Sequence, residues 1–472
     1  MMLDVNERCG RPTYAAPFGI DETPVCLMHS RDPQKSDSEF QQEFERILRE
    51  ATDRNEVADF TRFFFTSAEY THREFKTRCR FDHATFTQRS DFSKVTFTQH
   101  AIFSDARFTQ KASFYCAAFI QIAYFYHVTF TQAADFCRAR FMQDANFSHA
   151  TFAQVADFLG TEFTQEANFE EATFAREVRF DQAKFLVSAA FRETVFRGDK
   201  ELGSETDDTL QGPVFSLAQF SHPEAIVFYK TYLGQALFLN CDVSGVTFSS
   251  VTWRKRNRGG KSMVLEEEVS LDCAAASALK PGGDSHDELN YGLIAQIYQQ
   301  LKKNYDSHLD YWTANEFHFS EMEMKRLAAP TSGPLLKIRR WCHRYMSFIA
   351  LYRYASDYGN NYTKPILWLL GILLLFATLF PLPGLQHTNP TYTDTYASAW
   401  HSRKTTPAKL TSETRLIFGK SLLTAIDTAM FQKSPEYSPA WPWGRLLAIL
   451  EISLTSTLFG LFLLAIRRQF RR

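Results

Sequence analysis

Ala101-Ile102-Phe103-Ser104-Asp105-Ala106-Arg107-Phe108-Thr109-Gln110-Lys111-Ala112-Ser113-Phe114 is the stretch whose reading decides the fold. Its phenylalanines fall five and then six residues apart, and the alternation runs unbroken from Phe75 to Phe196. The period is therefore eleven residues. Small residues stand two places before many of them, at Ala84, Ala101, Ala106, Ala112, Ala134, Ala145, Ala167 and Ala183. A strict short repeat settles the architecture before any helix or strand is assigned.

The spacing excludes a helix, because a 3.6-residue period cannot keep steps of five and six on one stripe. A coil of short strands can: each unit makes one side, its Phe and the small residue behind it point inward, and the chain turns a corner. Stacked coils then pair about 4.8 Å apart. The central Phe with a small residue at minus two resembles the pentapeptide-repeat family over roughly residues 58–253. The resemblance implies a right-handed quadrilateral β-helix. The extra residue in every second unit departs from the family pattern and gives about 22 residues per four-sided coil. The Phe ladder reads as core. Each buried ring contributes about 1.5–3 kcal/mol, so stacked rungs can hold a fold without a conventional globular core.

At 472 residues the chain has room for two or more domains. Lys+Arg 52 against Asp+Glu 53 leaves a net charge of −1, with no global polyanion or polycation character. The eight cysteines follow no disulfide rhythm, which fits a reducing compartment. No N-terminal signal peptide is expected, since residues 1–16 lack an apolar core. Between residues 60 and 196 there are 15 acidic and 15 basic side chains. Some pentapeptide-repeat proteins mimic DNA to inhibit type II topoisomerases, and that needs an acidic face. The neutral surface argues against it and against a nucleic-acid partner.

Five segments are expected. Residues 1–57 form a leader, with Cys9, Cys26 and His29 as candidate zinc ligands. Cys-x-x-His is metal-ligand spacing, and a fuller Cys/His set occurs in similar membrane-bound pentapeptide-repeat proteins. A fourth ligand is missing, and the alternative is a small folded leader with free thiols. A helix at 37–52 closes this segment, with Phe40, Phe44, Ile47 and Leu48 on one face. Residues 58–253 form the solenoid, interrupted at 197–213 and ended by Trp253 as a cap. Outward Thr-Gln pairs such as Thr87-Gln88 and Thr98-Gln99 suggest polar ladders along one corner. Residues 254–286 read as a linker with an acidic strand near 264–269, and 287–330 as a helical hairpin. The hairpin is similar to a tetratricopeptide-like unit, and its Glu321-Met322-Glu323-Met324 run to segments of membrane-bound pentapeptide-repeat proteins. One hairpin is too short for a solenoid, so it docks on the repeat end or on another subunit.

Residues 331–472 form a membrane module. A basic, aromatic stretch at 335–358 suits the headgroup layer. Apolar spans at about 365–382 and 446–466 approach the roughly 20 residues that cross a bilayer. Lys337, Arg339, Arg340 and Arg344 before the first span and Arg467, Arg468, Arg471 and Arg472 after the second place both termini and the solenoid in the cytoplasm, with the protein multi-pass in the inner membrane. A helix expected at 412–431 gives the span, helix, span order of a two-helix ion-channel pore. Gly444-Arg445-Leu446-Leu447-Ala448-Ile449-Leu450-Glu451 also resembles an inner-helix start of bacterial ion-channel-like proteins. The glycine-rich potassium filter is replaced by Thr424-Ala425-Ile426-Asp427-Thr428-Ala429-Met430-Phe431. Asp427 and Glu451 are the candidate pore-lining carboxylates. Glu451 also reads as an interfacial carboxylate near the outer end of its span.

No catalytic constellation or phosphate-binding loop occurs, so an enzyme is disfavoured. Two classes remain. One is a membrane-anchored scaffold displaying the solenoid to a protein partner. The other is an oligomeric, channel-like protein with a degenerate pore that is not potassium-selective.

Overall fold

The computed structural model describes residues 11–14, 21, 24–196, 212–256, 260–264, 266–267, 291–328, 336–382, 385–387, 395–396, 407–430, 437–439 and 442–469. The chain divides into two units, Met1–Glu321 and Met322–Arg472.

The first unit is a parallel β-solenoid of about eight turns. Its four faces are parallel sheets of nine, seven, seven and seven strands. Most strands are two residues long, one side chain inward and one outward. Pairing keeps a 22-residue register: Ala101 lies beside Ala123 on the first face, Phe108 beside Phe130 on the second, Ala112 beside Ala134 on the third and Phe97 beside Phe119 on the fourth. The inward Phe and Ala are buried throughout. Rings of successive coils stack, as Phe103 on Phe125 at 5.1 Å and 4°, and meet rings of the next face edge-on, as Phe119 on Phe125 at 5.8 Å and 80°. Aromatic pairs favour both arrangements, so each ring is held along the column and across it.

Corners alternate between two kinds. After the first and third faces the chain turns through a residue of positive φ, once every eleven residues from His72 to Glu193. These residues include His83, Lys94, Asp105, Cys116 and Arg138, and Gly160 is the glycine among them. The left-handed region costs a residue with a Cβ roughly 1–2 kcal/mol. The neighbouring outward Asp or Asn offsets it: Asp91 Oδ1 accepts Ser93 N–H at 2.9 Å, and Asn146 Oδ1 accepts Ser148 N–H at 2.9 Å. After the second and fourth faces the extra residue makes a wider corner. There Thr hydroxyls donate to the Phe carbonyl of the preceding coil, as Thr109 to Phe86 and Thr98 to Phe75, both at 3.1 Å. The Thr-Gln pairs thus mark two corners, not one, because six-residue steps occur twice per coil.

Residues 197–211 lie outside the described residues. Pairing resumes in register beyond them, Phe191 with Phe228. The last coil shortens, and Phe228 pairs with Phe248 after plain five-residue steps.

Both ends are covered. Helix α1 (Asp37–Arg54) is capped by Ser36, which accepts Glu39 N–H, and ends on left-handed Asn55. Its Phe44 stacks on Phe60 at 4.4 Å. Buried Lys35 ties the leader down by donating to the carbonyls of Leu27, Ser30 and Phe64. At the other end, helices α2 (Tyr291–Ser307) and α3 (Tyr311–Leu327) form the expected hairpin. It docks on the final coil: Trp253 Nε1–H donates to Tyr305 Oη at 2.7 Å, and Asn304 Nδ2 donates to the carbonyls of Val243, Ser244 and Val246. These bonds satisfy edge groups that would otherwise offer pairing to another chain. The acidic strand expected near 264–269 is instead a short strand at Ser262–Met263. Glu266 and Glu267 fold inward, where Glu267 accepts from Tyr298 Oη at 2.5 Å and pairs with Arg256.

The second unit is helical: α4 (Leu336–Met346), α5 (Phe348–Ser356), α6 (Thr363–Leu379), α7 (Pro407–Ala429) and α8 (Pro442–Gln469). Among the described residues one helix is long and apolar enough to cross a membrane, Gly444–Arg468, with a mean hydropathy of 2.0. Helix α6 is apolar but 17 residues long. Phe376, Phe380, Leu385 and Ala425 form a buried cluster, with Leu447 and Ala448 packed on it, so α6, α7 and α8 share a core.

Candidate functional site

Three regions hold the residues singled out from sequence. The first is the leader. Buried Cys26 places Sγ 3.1 Å from His29 Nδ1, and His29 Nε2 is 3.2 Å from the Thr61 carbonyl. A carbonyl only accepts, so Nε2 carries the proton and Nδ1 accepts from the thiol. Burial lowers the His29 pKa and keeps the ring neutral. The pair is satisfied as a thiol–imidazole contact. Cys9 lies outside the described residues, and among those described no group of three or more His, Cys, Asp or Glu is placed to hold a metal. Two of the three expected zinc donors therefore meet, and the described chain supplies no third.

The second region is the outer surface of the solenoid. Outward Asp91, Asp135 and Asp157 on the third face accept N–H groups two residues on, so they stabilise corners rather than form an acidic display. The corners are not uniformly polar. At the fourth-to-first corner the Thr98-Gln99 and Thr164-Gln165 pairs are replaced by Ile120-Gln121 and Met142-Gln143 in two successive coils, and further on by Leu186-Val187. Ile120 is 39% and Met142 41% exposed, and Tyr126 lies nearby in sequence at 38%. Ile120 and Met142 cannot make the hydroxyl-to-carbonyl bond of Thr98 and Thr164, so these coils give up a corner bond and expose apolar surface. Sequence reasoning passed over this departure, although the missing Thr signals it.

The third region is the helical unit. Asp427 is half-buried on α7. Glu451 on α8 is fully buried within the chain, and neither carboxylate oxygen has a hydrogen-bond partner among the described residues. The carboxylate is thus enclosed by its own unit, and lining a pore would require α8 to turn. Buried hydroxyls accompany it on the two helices: Thr424 Oγ1 donates to Lys420 O at 2.9 Å, and Thr455 Oγ1 to Glu451 O at 2.8 Å. The structure does not join Asp427 to Glu451.

One cluster in this unit was unforeseen. Glu323 receives Arg326 at 2.6 Å, Arg353 at 2.8 Å and Tyr358 Oη at 2.9 Å. Burial alone would raise its pKa, but the two guanidiniums and the phenol outweigh it and hold the carboxyl below its ordinary range. Arg326 also donates to Arg344 O, and Arg468 at the end of α8 donates to Tyr358 O. Only Glu323's place in the Glu-Met-Glu-Met run hinted at this role.

Compared with protein-family models, curated proteins and solved structures, the chain matches none of them.

Proposed function

We propose that the protein is a membrane-anchored scaffold of pentapeptide-repeat type. Helices α6 and α8 fix it in the inner membrane with both termini cytoplasmic, and the solenoid presents a rigid surface to a protein partner. The observation that carries this reading is the exposed apolar surface that Ile120 and Met142 place at the same corner of two successive coils of an end-capped array. The helices that cover both ends of the solenoid take up strand-edge groups, so recognition falls to side chains on its faces. Apolar side chains on α8, including Leu446, Ile449 and Phe459, are more than half exposed and suit lipid contact. Three results test the reading. The full chain resists alkaline carbonate extraction, a reporter after Arg472 reads as cytoplasmic, and a photoreactive side chain at position 120 crosslinks in cells to one protein that Met142→Asp releases. Extraction, an extracytoplasmic reporter, or the absence of a specific adduct defeats it.

The channel-like alternative rests on the shared core of α6, α7 and α8, which matches a span, helix, span module. It requires a homo-oligomer and ion flux from reconstituted protein, reduced by Asp427→Asn. A monomer in detergent, or no flux from a verified oligomer, removes it.

A further inference from the structure

The helical unit leaves an apolar face uncovered just before its first apolar helix. On α4 and α5, Ile338, Trp341, Tyr345, Phe348, Leu351 and Tyr354 are all exposed, Phe348 to 92%. Soluble surfaces rarely gather that many large apolar side chains in one place. The same segment is strongly one-signed: residues 336–356 contain Lys337, Arg339, Arg340, Arg344 and Arg353, and no Asp or Glu. On a helical wheel Ile338, Trp341 and Tyr345 share one side of α4, with Arg344 off it.

The two helices are held rather than loose. Arg326 donates to Arg344 O at 2.9 Å, Ser347 caps α5 by accepting Ala350 N–H, and Arg353 pairs with buried Glu323. At its far end α5 meets the first apolar helix, where Trp368 Nε1–H donates to Tyr354 O at 3.1 Å. Leu367, Trp368 and Leu370, just beyond that link, are themselves exposed and apolar. The uncovered face thus continues into the surface that a lipid-embedded α6 would present.

We infer that α4 and α5 form an interfacial element that lies on the cytoplasmic leaflet and selects acidic phospholipids. Apolar and aromatic side chains enter the boundary between headgroups and acyl chains, and exposed Arg339 and Arg344 face anionic headgroups. This is the arrangement of helices that lie in the membrane plane. A protein occupant fits less well, since the face is continuous with the surface that α6 presents to lipid in the membrane reading above. The inference rests on the membrane reading above and adds the lipid class.

The test uses the full chain in vesicles of equal phosphatidylcholine and phosphatidylglycerol, with a benzophenone side chain at position 348. Mass spectrometry should find phosphatidylglycerol adducts in excess over phosphatidylcholine adducts. Each basic residue near an acidic surface is worth about a fivefold preference. Arg339→Gln with Arg344→Gln should therefore pull the adduct ratio towards the bulk lipid ratio while the chain stays carbonate-resistant. Lipid adducts in the bulk ratio with wild-type arginines would overturn the acidic-lipid selection. Protein adducts, or none, from a carbonate-resistant chain would overturn the interfacial placement and leave the anchor standing. Loss of carbonate resistance in the wild type would overturn the membrane reading itself.

Discussion

Truncating Phe125 to alanine tests whether the ring ladder holds the coils together. Its ring is fully buried, stacked between Phe103 at 5.1 Å and Phe147 at 4.8 Å, and edge-on to Phe114 at 5.5 Å, Phe119 at 5.8 Å and Phe136 at 5.4 Å. Each neighbour is itself pinned by the coils above and below, so the cavity cannot close by local collapse. Core Phe→Ala substitutions cost about 3–5 kcal/mol, and a site that cannot relax falls at the upper end. A tenfold change in an opening equilibrium corresponds to about 1.4 kcal/mol. Amide exchange around residues 114–136 should therefore accelerate by about three orders of magnitude or more, read by hydrogen-exchange mass spectrometry on the full chain. Because each coil contacts only its neighbours, the effect should fade along the array. Phe125→Leu keeps more volume and should lose less. An acceleration below about tenfold at the site, or an equal one from residue 58 to 253, would refute the reasoning.

Two further predictions concern buried carboxylates of opposite sign. Burial pushes Glu266 up to about 7, where it accepts the Phe238 N–H over the last coil. Its folded pKa exceeds its unfolded one, so its contribution is fully present below the ordinary carboxylate range and is lost as pH rises through about 7. Thermal melting should fall from about pH 6 to about pH 8, and Glu266→Gln should flatten that change. Glu323 is held below its ordinary range, so its contribution is present near neutrality and is lost as pH falls through its depressed pKa. Glu323→Ala should cost about 3–5 kcal/mol, because Arg326 and Arg353 lose a buried partner. Limited proteolysis of residues 336–356 at neutral pH would show it, and unchanged cleavage would refute a stabilising role for the Glu323 cluster.

The rungs are legible in the sequence because Phe recurs at five and six residues without a break from Phe75 to Phe196, with mostly small residues behind it. The corners are not. Their left-handed positions hold His83, Lys94, Asp105, Cys116 and Arg138, so no composition marks them. Only the eleven-residue spacing gives them away, and the phenylalanines carry the same spacing. Glu266 and Glu267 read only as part of an acidic strand, since burial of charge becomes visible only with Arg256 and Tyr298 in place. Glu451 read as interfacial or pore-facing because its depth along a span says nothing of the direction of its side chain. The leader helix and terminal hairpin were legible from their apolar spacing, while the Asn304 contacts that seat the hairpin were not.

The two kinds of corner make the eleven-residue unit, rather than the five-residue one, the indivisible part of this solenoid. First and third faces both precede left-handed corners, and second and fourth faces both precede Thr corners. An inserted eleven-residue unit moves the downstream chain by two faces, so every left-handed corner still stacks on a left-handed corner and every Thr hydroxyl still meets a Phe carbonyl. An inserted five-residue unit moves it by one face and sets unlike corners on each other at the junction. Corner bonds such as Thr109 to Phe86 and Asp105 N–H to Tyr126 O then lose their partners around that coil. At about 1 kcal/mol for each lost bond, several lost together amount to a few kcal/mol. Duplicating residues 104–114 should leave the melting temperature close to wild type, whereas duplicating residues 104–108 should lower it clearly. Equal tolerance of the two insertions would show that the corners are interchangeable and that five residues are the true repeat.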